Sequence, residues 1–525
     1  MFLKILLLIV FFGVMVSVGL YCRHHATDVN GFVLGGRSVG PWLTAFAYGT
    51  SYFSAVIFVG YAGQFGWKFG IASTWIGLGN ALIGSLLAWV ILGRRTRIMT
   101  QHLDSATMPE FFGRRFGSQG LKIGASIITF LFLIPYTASL YNGLSRLFKM
   151  AFGLDYTVCI VVMAILTGIY VIAGGYMATA INDFIQGLIM LAGIIAVIAA
   201  VLASKGGFME ALNGLAAVSD PAVSNAPGVF NSFFGPDPLG LLGVVILTSL
   251  GTWGLPQMVQ KFYAIKSEAA VRKGAIISTI FAVIVAGGCY FLGGFGRLFS
   301  GSIELSPSGI PVGGYDAIIP SMLSGLPDLL IAIVVILVLS ASMSTLSSLV
   351  LASSSTITLD LLKGNIVKKM DEKRQVRIIR IFVVVFILIS AAIAVFQYRS
   401  SQSATSSNSA TFIAQLMGVS WGALAGAFLA PFLYSLYWRR TTKASCWVCF
   451  IFGSVLMILN MLFRASFPAV LQSPINCGAF AMVAGLILVP LVSSFTRKPD
   501  AALVDGSFAC YDVKVSVSQK RALTD

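Results

Sequence analysis

Charge is what this chain has little of. Asp, Glu, Lys and Arg make up 10% of its 525 residues, while 57% are apolar and the mean hydropathy is +0.90. A soluble domain carries about a quarter charged residues, so a soluble globular protein is excluded and a polytopic membrane protein is expected. Histidine is also scarce. His24, His25 and His102 all fall between apolar runs, which leaves no His/Glu metal cluster inside them. The seven cysteines are scattered. Cys446 and Cys449 form a lone C-x-x-C inside an apolar run, with no second pair to complete a zinc or redox site. No Walker loop or nucleophile elbow occurs, which argues against a membrane enzyme. The net charge of +16 does not point to nucleic acid, because the basic residues sit in short loops. The stretch 495–525 is too short for a signalling kinase domain, which disfavours a membrane sensor, and its polar composition predicts disorder.

Long apolar runs are what the chain has. A helix needs about 20 apolar residues to span a bilayer. Thirteen such runs are expected: 2–21, 42–66, 70–93, 121–149, 156–174, 178–203, 238–264, 274–298, 325–360, 376–397, 409–437, 444–464 and 476–494. The first lacks an A-x-A cleavage site, and Tyr21 before Cys22 spoils a lipoprotein site, so it reads as a retained span. Basic residues then set the orientation. Arg23, Arg37, Arg94, Arg95, Arg97, Arg114, Arg115, Lys266, Arg272, Lys273, Lys363, Lys368, Lys369, Lys373, Arg374, Arg439, Arg440 and Lys443 all fall on one side if the N-terminus is outside. Loop 204–237 holds only Lys205, and loop 299–324 has no Lys or Arg. The positive-inside rule puts both loops outside and the C-terminus in the cytoplasm.

Two spans contain breakers. Span 42–66 has Gly49, Thr50, Ser51 and Ser54 in its middle. Span 238–264 has Gly251, Gly254 and Pro256, and proline both removes an N–H and pushes the preceding residue out of helix. The two are five spans apart. An odd offset inverts one against the other, and two five-helix units, each opening with a discontinuous helix, form a transporter architecture. Carbonyls freed at such breaks are tolerated only where they line a polar site.

A third unusual stretch is SASMSTLSSLVLASSSTITLD, Ser340 to Asp360. Ala341, Ser344, Thr345 and Ser348 fall at i, i+3, i+4 and i+7, one face of a helix. Hydroxyl and carbonyl oxygens suit a hard, small cation. The competing explanation is close helix packing through small residues, which so many hydroxyls at mid-membrane depth outweigh. Asp183 near the start of span 178–203 is costly in a bilayer and needs a partner. No Lys or Arg lies in the interior of spans 156–174 and 178–203, so a bound cation is the expected partner.

These residues resemble the sodium:solute symporter family. FVLGGRSVG (32–40) is similar to the family's lead-in to its first core helix, and TMPEFFGRRFG (107–117) to the loop before its third. IAGGYMATAINDFIQG (172–187) and SMSTLSSLVLASSSTITLD (342–360) resemble its fifth and eighth core helices. The resemblance implies an all-α, LeuT-like five-plus-five inverted repeat with about 13 transmembrane helices, and import of a small solute coupled to Na+. Residues 1–41 would be an extra helix and loop, 42–203 the first repeat, 238–437 the second, 444–494 two further helices and 495–525 a cytoplasmic tail. The main Na+ site would use Thr50, Phe53, Ala341, Ser344 and Thr345. A second Na+ site, found in some members, would use Asp183, Ser344, Ser347 and Ser348. The solute would lie between the breaks, against Tyr52, Ser54, Trp253, Pro256 and Gln257. Sugar carriers of the family have Asn where Pro256 stands. The proline carrier has Asp where Tyr52 stands, and pantothenate and acetate carriers have Tyr there. Free N–H groups at a helix break suit an anionic group, so a carboxylate is expected: a monocarboxylate, a pantothenate-like acid or an amino acid such as proline. A sugar or polyol carrier is the alternative. A proton-coupled or exchange carrier would not need the hydroxyls.

Overall fold

The hydroxyl-rich stretch forms one helix, Asp328–Thr356, continued by a wider π-turn, Ile357–Leu362. Every residue from Leu337 to Asp360 is buried. A helix buried on all sides lies in the interior of a bundle, and here the interior helix is the polar one. The computed structural model describes residues 2–153, 155–221, 223–303, 311, 314–363, 366–367, 370–403 and 412–511. Lys368 and Lys369, the start of the expected span 409–437 and the end of the tail lie outside the described residues.

Helices account for nearly all the regular structure, and among the described residues the only β-pairing is three isolated bridges. Among the described residues, ten helices are long and apolar enough to cross a membrane, or eleven if a bent pair counts as one span. That is fewer than the thirteen expected. Two of the ten, Val56–His102 and Thr157–Ala203, are 47 residues long. Each would measure about 70 Å if straight, more than twice the thickness of the hydrocarbon core. Each is interrupted by a left-handed glycine, Gly70 (φ +62°) and Gly175 (φ +55°). The helix Pro41–Tyr52 is too short to be counted.

Both expected breaks are present, and they have the same backbone shape. Pro41–Tyr52 ends at Phe53 with φ −83° and ψ 117°. Pro238–Gly254 ends at Leu255 with φ −82° and ψ 121°, before Pro256–Ala264 resumes at 47° to it. Pro256 occupies the first position of the resumed helix, where its missing N–H costs nothing. In the first broken helix the break falls at Phe53, beyond Gly49.

One end of the bundle is stitched shut. Val39 N–H donates to Ala264 O at 3.2 Å and Lys266 N–H to Val39 O at 3.0 Å, joining the start of the first broken helix to the end of the second. Gly35, Gly36 and Arg37 are all left-handed, with φ of +58°, +68° and +54°. Glycine adopts that conformation freely and arginine does not. Arg37 is held there by donating to Ser105 O at 2.7 Å and Tyr263 O at 3.3 Å. Arg97 adds bonds to Ile265 O at 2.9 Å and Lys266 O at 2.7 Å.

The expected disorder of the tail is corrected for its first part. Asp500 caps a helix, Ala501–Phe508, that docks on this same end. Arg439 pairs with Asp505 at 2.6 Å, His102 Nε2 bonds Gly506 O at 2.8 Å, and the Arg115 guanidinium stacks on Phe508 at 4.8 Å. Val504 and Phe508 are buried in the main core, so the docking is apolar as well as ionic, and the composition of 495–525 as a whole hid these two side chains.

Candidate functional site

The hydroxyl helix passes the first break at Thr345. Its Oγ1 lies 3.2 Å from Thr50 O, 3.3 Å from Phe53 O and 3.1 Å from Ala341 O. Ser344 Oγ donates to Thr50 Oγ1 at 2.7 Å. All five residues expected to ligate the first Na+ therefore lie together, three carbonyls around the Thr345 hydroxyl and Ser344 on the Thr50 side chain. The reasons are local. The break exposes the Thr50 and Phe53 carbonyls, because the chain turns extended at Phe53 and those oxygens lose helical N–H partners. Adjacent hydroxyls at Ser344 and Thr345 reach both the side chain and the backbone of the opposing turn. Every atom of the group is buried. A hydroxyl donates only one hydrogen, so Thr345 cannot satisfy three carbonyls by itself. The surplus of acceptor oxygen is the donor set a hard monovalent cation takes.

The second expected ligand set looks different. Ser347 and Ser348 lie on the turn next to Ser344. Ser347 Oγ donates to Ser344 O at 2.8 Å, and Ser348 Oγ is 2.9 Å from Ser51 Oγ. Asp183 has a basic partner after all, contrary to expectation. Its Oδ2 lies 3.6 Å from Lys261 Nζ, which also donates to Ser348 Oγ at 3.0 Å. The expectation considered only the spans adjacent to Asp183, whereas Lys261 reaches it from the second half of the other broken helix. The available signal was Lys261 itself, a basic residue inside an apolar run.

Of the five expected solute contacts, Tyr52 and Gln257 carry free polar atoms. The Tyr52 hydroxyl and both Gln257 amide atoms are buried with no hydrogen-bond partner in the protein. Buried polar groups are normally paired, so orphans grouped near a helix break mark a place for a ligand. Trp253 is committed elsewhere: its Nε1 donates to Ile83 O at 2.9 Å. Ser54 Oγ accepts Val56 N–H at 3.3 Å, and Pro256 contributes shape alone. Sequence reasoning missed Asn80 and Tyr290. The Tyr290 hydroxyl has the Asn80 side chain as a hydrogen-bonding neighbour and Tyr52 as an electrostatic one. The Tyr136 hydroxyl has the Ser54 and Trp421 side chains as hydrogen-bonding neighbours.

Comparison with known proteins gives a consistent picture. The sodium:solute symporter family model matches residues 32–453. The osmoregulated proline transporter OpuE of Bacillus subtilis is 28% identical over 94% of this chain and 95% of its own length. A sodium/proline symporter of Staphylococcus aureus is 29% identical over 94% of this chain and 93% of its own. Among solved structures, a Na+-coupled sialic acid symporter in a substrate-bound, outward-open state superposes with a TM-score of 0.70 at 16% identity. The match covers 95% of this chain and 98% of that one, and at that identity it speaks for the fold alone.

Proposed function

We propose that this chain, which belongs to the sodium:solute symporter family, carries a small carboxylate-bearing solute, with proline the first candidate. It is a Na+-coupled symporter with the LeuT-like fold, and not an enzyme. The observation that supports the Na+ site is the convergence of the Thr50, Phe53 and Ala341 carbonyls on Thr345 Oγ1, with Ser344 Oγ beside them on the Thr50 hydroxyl. A cation there ties the first broken helix to the hydroxyl helix, and its departure leaves one Thr345 hydrogen to serve three carbonyls. Ion binding and helix position are linked in this way, so a downhill Na+ can favour the state that accepts solute.

The solute reading rests on three supports. The relatives described above are proline transporters. The orphaned Tyr52 hydroxyl and Gln257 amide offer donors to a carboxylate. The helix start beside them adds the positive end of a helix dipole. The proline carrier's Asp is replaced by Tyr52, so the solute's amino group must find another acceptor, and the Gln257 carbonyl oxygen is free for it. Competition against Na+-driven uptake by a panel of amino acids, monocarboxylates, sugars and polyols tests the reading. L-proline or another carboxylate should compete. Inhibition by sugars or polyols alone would overturn it. Tyr52→Phe should raise the half-saturating solute concentration about tenfold, the loss of one hydrogen bond to a charged group, with the Na+ dependence unchanged. An unchanged value would remove Tyr52 from the site.

The basic residues favour an N-terminus outside and a tail inside. The repeats would then run over 42–203 and 238–437, with 1–41, 444–494 and the tail as additions. Cysteines placed at the exposed positions Val223 and Ala502, in a background without native cysteines, read the topology. An impermeant thiol reagent applied outside should label position 223 and spare 502. The opposite pattern would reverse the orientation.

A further inference from the structure

The ion pair of Asp183 and Lys261 stands where a second Na+ would sit. Both side chains are buried, Asp183 fully. Lys261 Nζ lies 3.6 Å from Asp183 Oδ2, 3.0 Å from Ser348 Oγ and 5.2 Å from the Tyr176 ring centroid. The other titratable groups facing Asp183 are the phenols of Tyr170 and Tyr176, so no further charge competes for it. An isolated carboxylate in this interior would be very costly and needs a cation. The lysine ammonium has the charge of Na+ and three hydrogens to direct at oxygens. It arrives on the segment Pro256–Ala264, so it moves with the protein and is not transported. It donates to Ser348 and sets its charge against Asp183 at 3.6 Å, beyond hydrogen-bond reach, and these are two of the four residues a second Na+ would require.

We propose that Lys261 is a tethered cation that takes the place of the second Na+, so that this symporter moves one Na+ per solute. The inference rests on the Na+-symport reading and deepens it. With a neutral or zwitterionic solute, one positive charge crosses per cycle. A membrane potential of 100 mV then contributes about fiftyfold to accumulation, against about 2,500-fold for two charges.

Equilibrium binding of radiolabelled Na+ to the purified full-length protein counts the sites without any solute. One Na+ per wild-type chain is expected. Lys261→Met removes the ammonium and leaves Asp183 to recruit an ion, so K261M should bind two. K261M/D183N, which removes both charges, should return to one. In proteoliposomes, the reversal potential of Na+-dependent L-proline flux should correspond to one Na+ per proline for the wild type. Two Na+ per wild-type chain, or a folded K261M protein that still binds one, would overturn the proposal. If K261M fails to fold, the wild-type count decides alone. Absence of Na+-driven proline uptake would instead strike the proline reading and leave the ion count standing.

Discussion

Thr345→Ala should raise the Na+ concentration for half-maximal uptake by about ten- to a hundredfold. The hydroxyl lies within 3.3 Å of three carbonyls from two helices, Thr50 and Phe53 on one and Ala341 on the other. Interactions of this kind with a charged partner are worth about 1.5–3 kcal/mol each, and about 1.4 kcal/mol corresponds to a factor of ten. Removing the hydroxyl takes away one of five oxygens and leaves the freed carbonyls to face each other without a donor. Thr345→Ser keeps the oxygen and should restore most of the affinity, which separates ligation from packing. Ser344→Ala should act in the same direction but less strongly, because its oxygen reaches the break through the Thr50 hydroxyl at 2.7 Å. Solute affinity measured at saturating Na+ should change little in all three variants. A Thr345→Ala protein with wild-type Na+ dependence would remove this residue from the site.

Gly66→Ala should leave little folded protein. Gly66 lies in the helix Ala62–Phe69, which continues from the first break and crosses Gly288–Gly294 at backbone contact. A methyl at position 66 would run into the Gly293 carbonyl, and one at position 293 would run into the carbonyl of Ala62. The clash is with main chain on both sides, so no rotamer change relieves it. Overpacking even flexible side chains costs about 1–3 kcal/mol, and a rigid backbone contact costs more than that. Close approach through small residues is a principal means of helix association in a bilayer, where burial of apolar surface drives little. The check is the yield and melting temperature of detergent-solubilised protein, with Gly153→Ala as a comparison, since nothing lies within 4 Å of a methyl there although its φ is +66°. Wild-type stability of Gly66→Ala would mean that the two helices do not cross as described.

How much of this was legible depended on the range of the signal. The hydroxyl face was readable because Ala341, Ser344, Thr345 and Ser348 repeat at helical spacing within eight residues. The second break was readable from Pro256, which fixes where the helix restarts. The first break has no proline, and its glycine, Gly49, lies four residues before the extended residue Phe53, so its existence could be inferred but not its position. The turns at Gly70 and Gly175 fall at the expected boundaries between 42–66 and 70–93 and between 156–174 and 178–203, so each 47-residue helix runs across two expected spans. Lys261 was invisible as the partner of Asp183 because the pairing depends on how two sequence-distant segments meet. The docked helix Ala501–Phe508 was misread for the same reason. Its contacts are to Arg439, His102 and Arg115, with Val504 and Phe508 buried in the core, and the polar average of the tail does not reveal a short docked segment. Tyr52 and Gln257 were expected at the solute site, yet the Asn80–Tyr290 pair beside Tyr52 emerges only when the neighbours of each buried polar group are traced.

The most direct measurement of the central claim is accumulation of radiolabelled L-proline in proteoliposomes under an imposed Na+ gradient, set beside an equal proton gradient without Na+. Accumulation above equilibrium should occur with Na+ alone and should require a much higher Na+ concentration in Thr345→Ala. Accumulation driven equally well by protons without Na+, with Thr345→Ala indistinguishable from wild type, would contradict it.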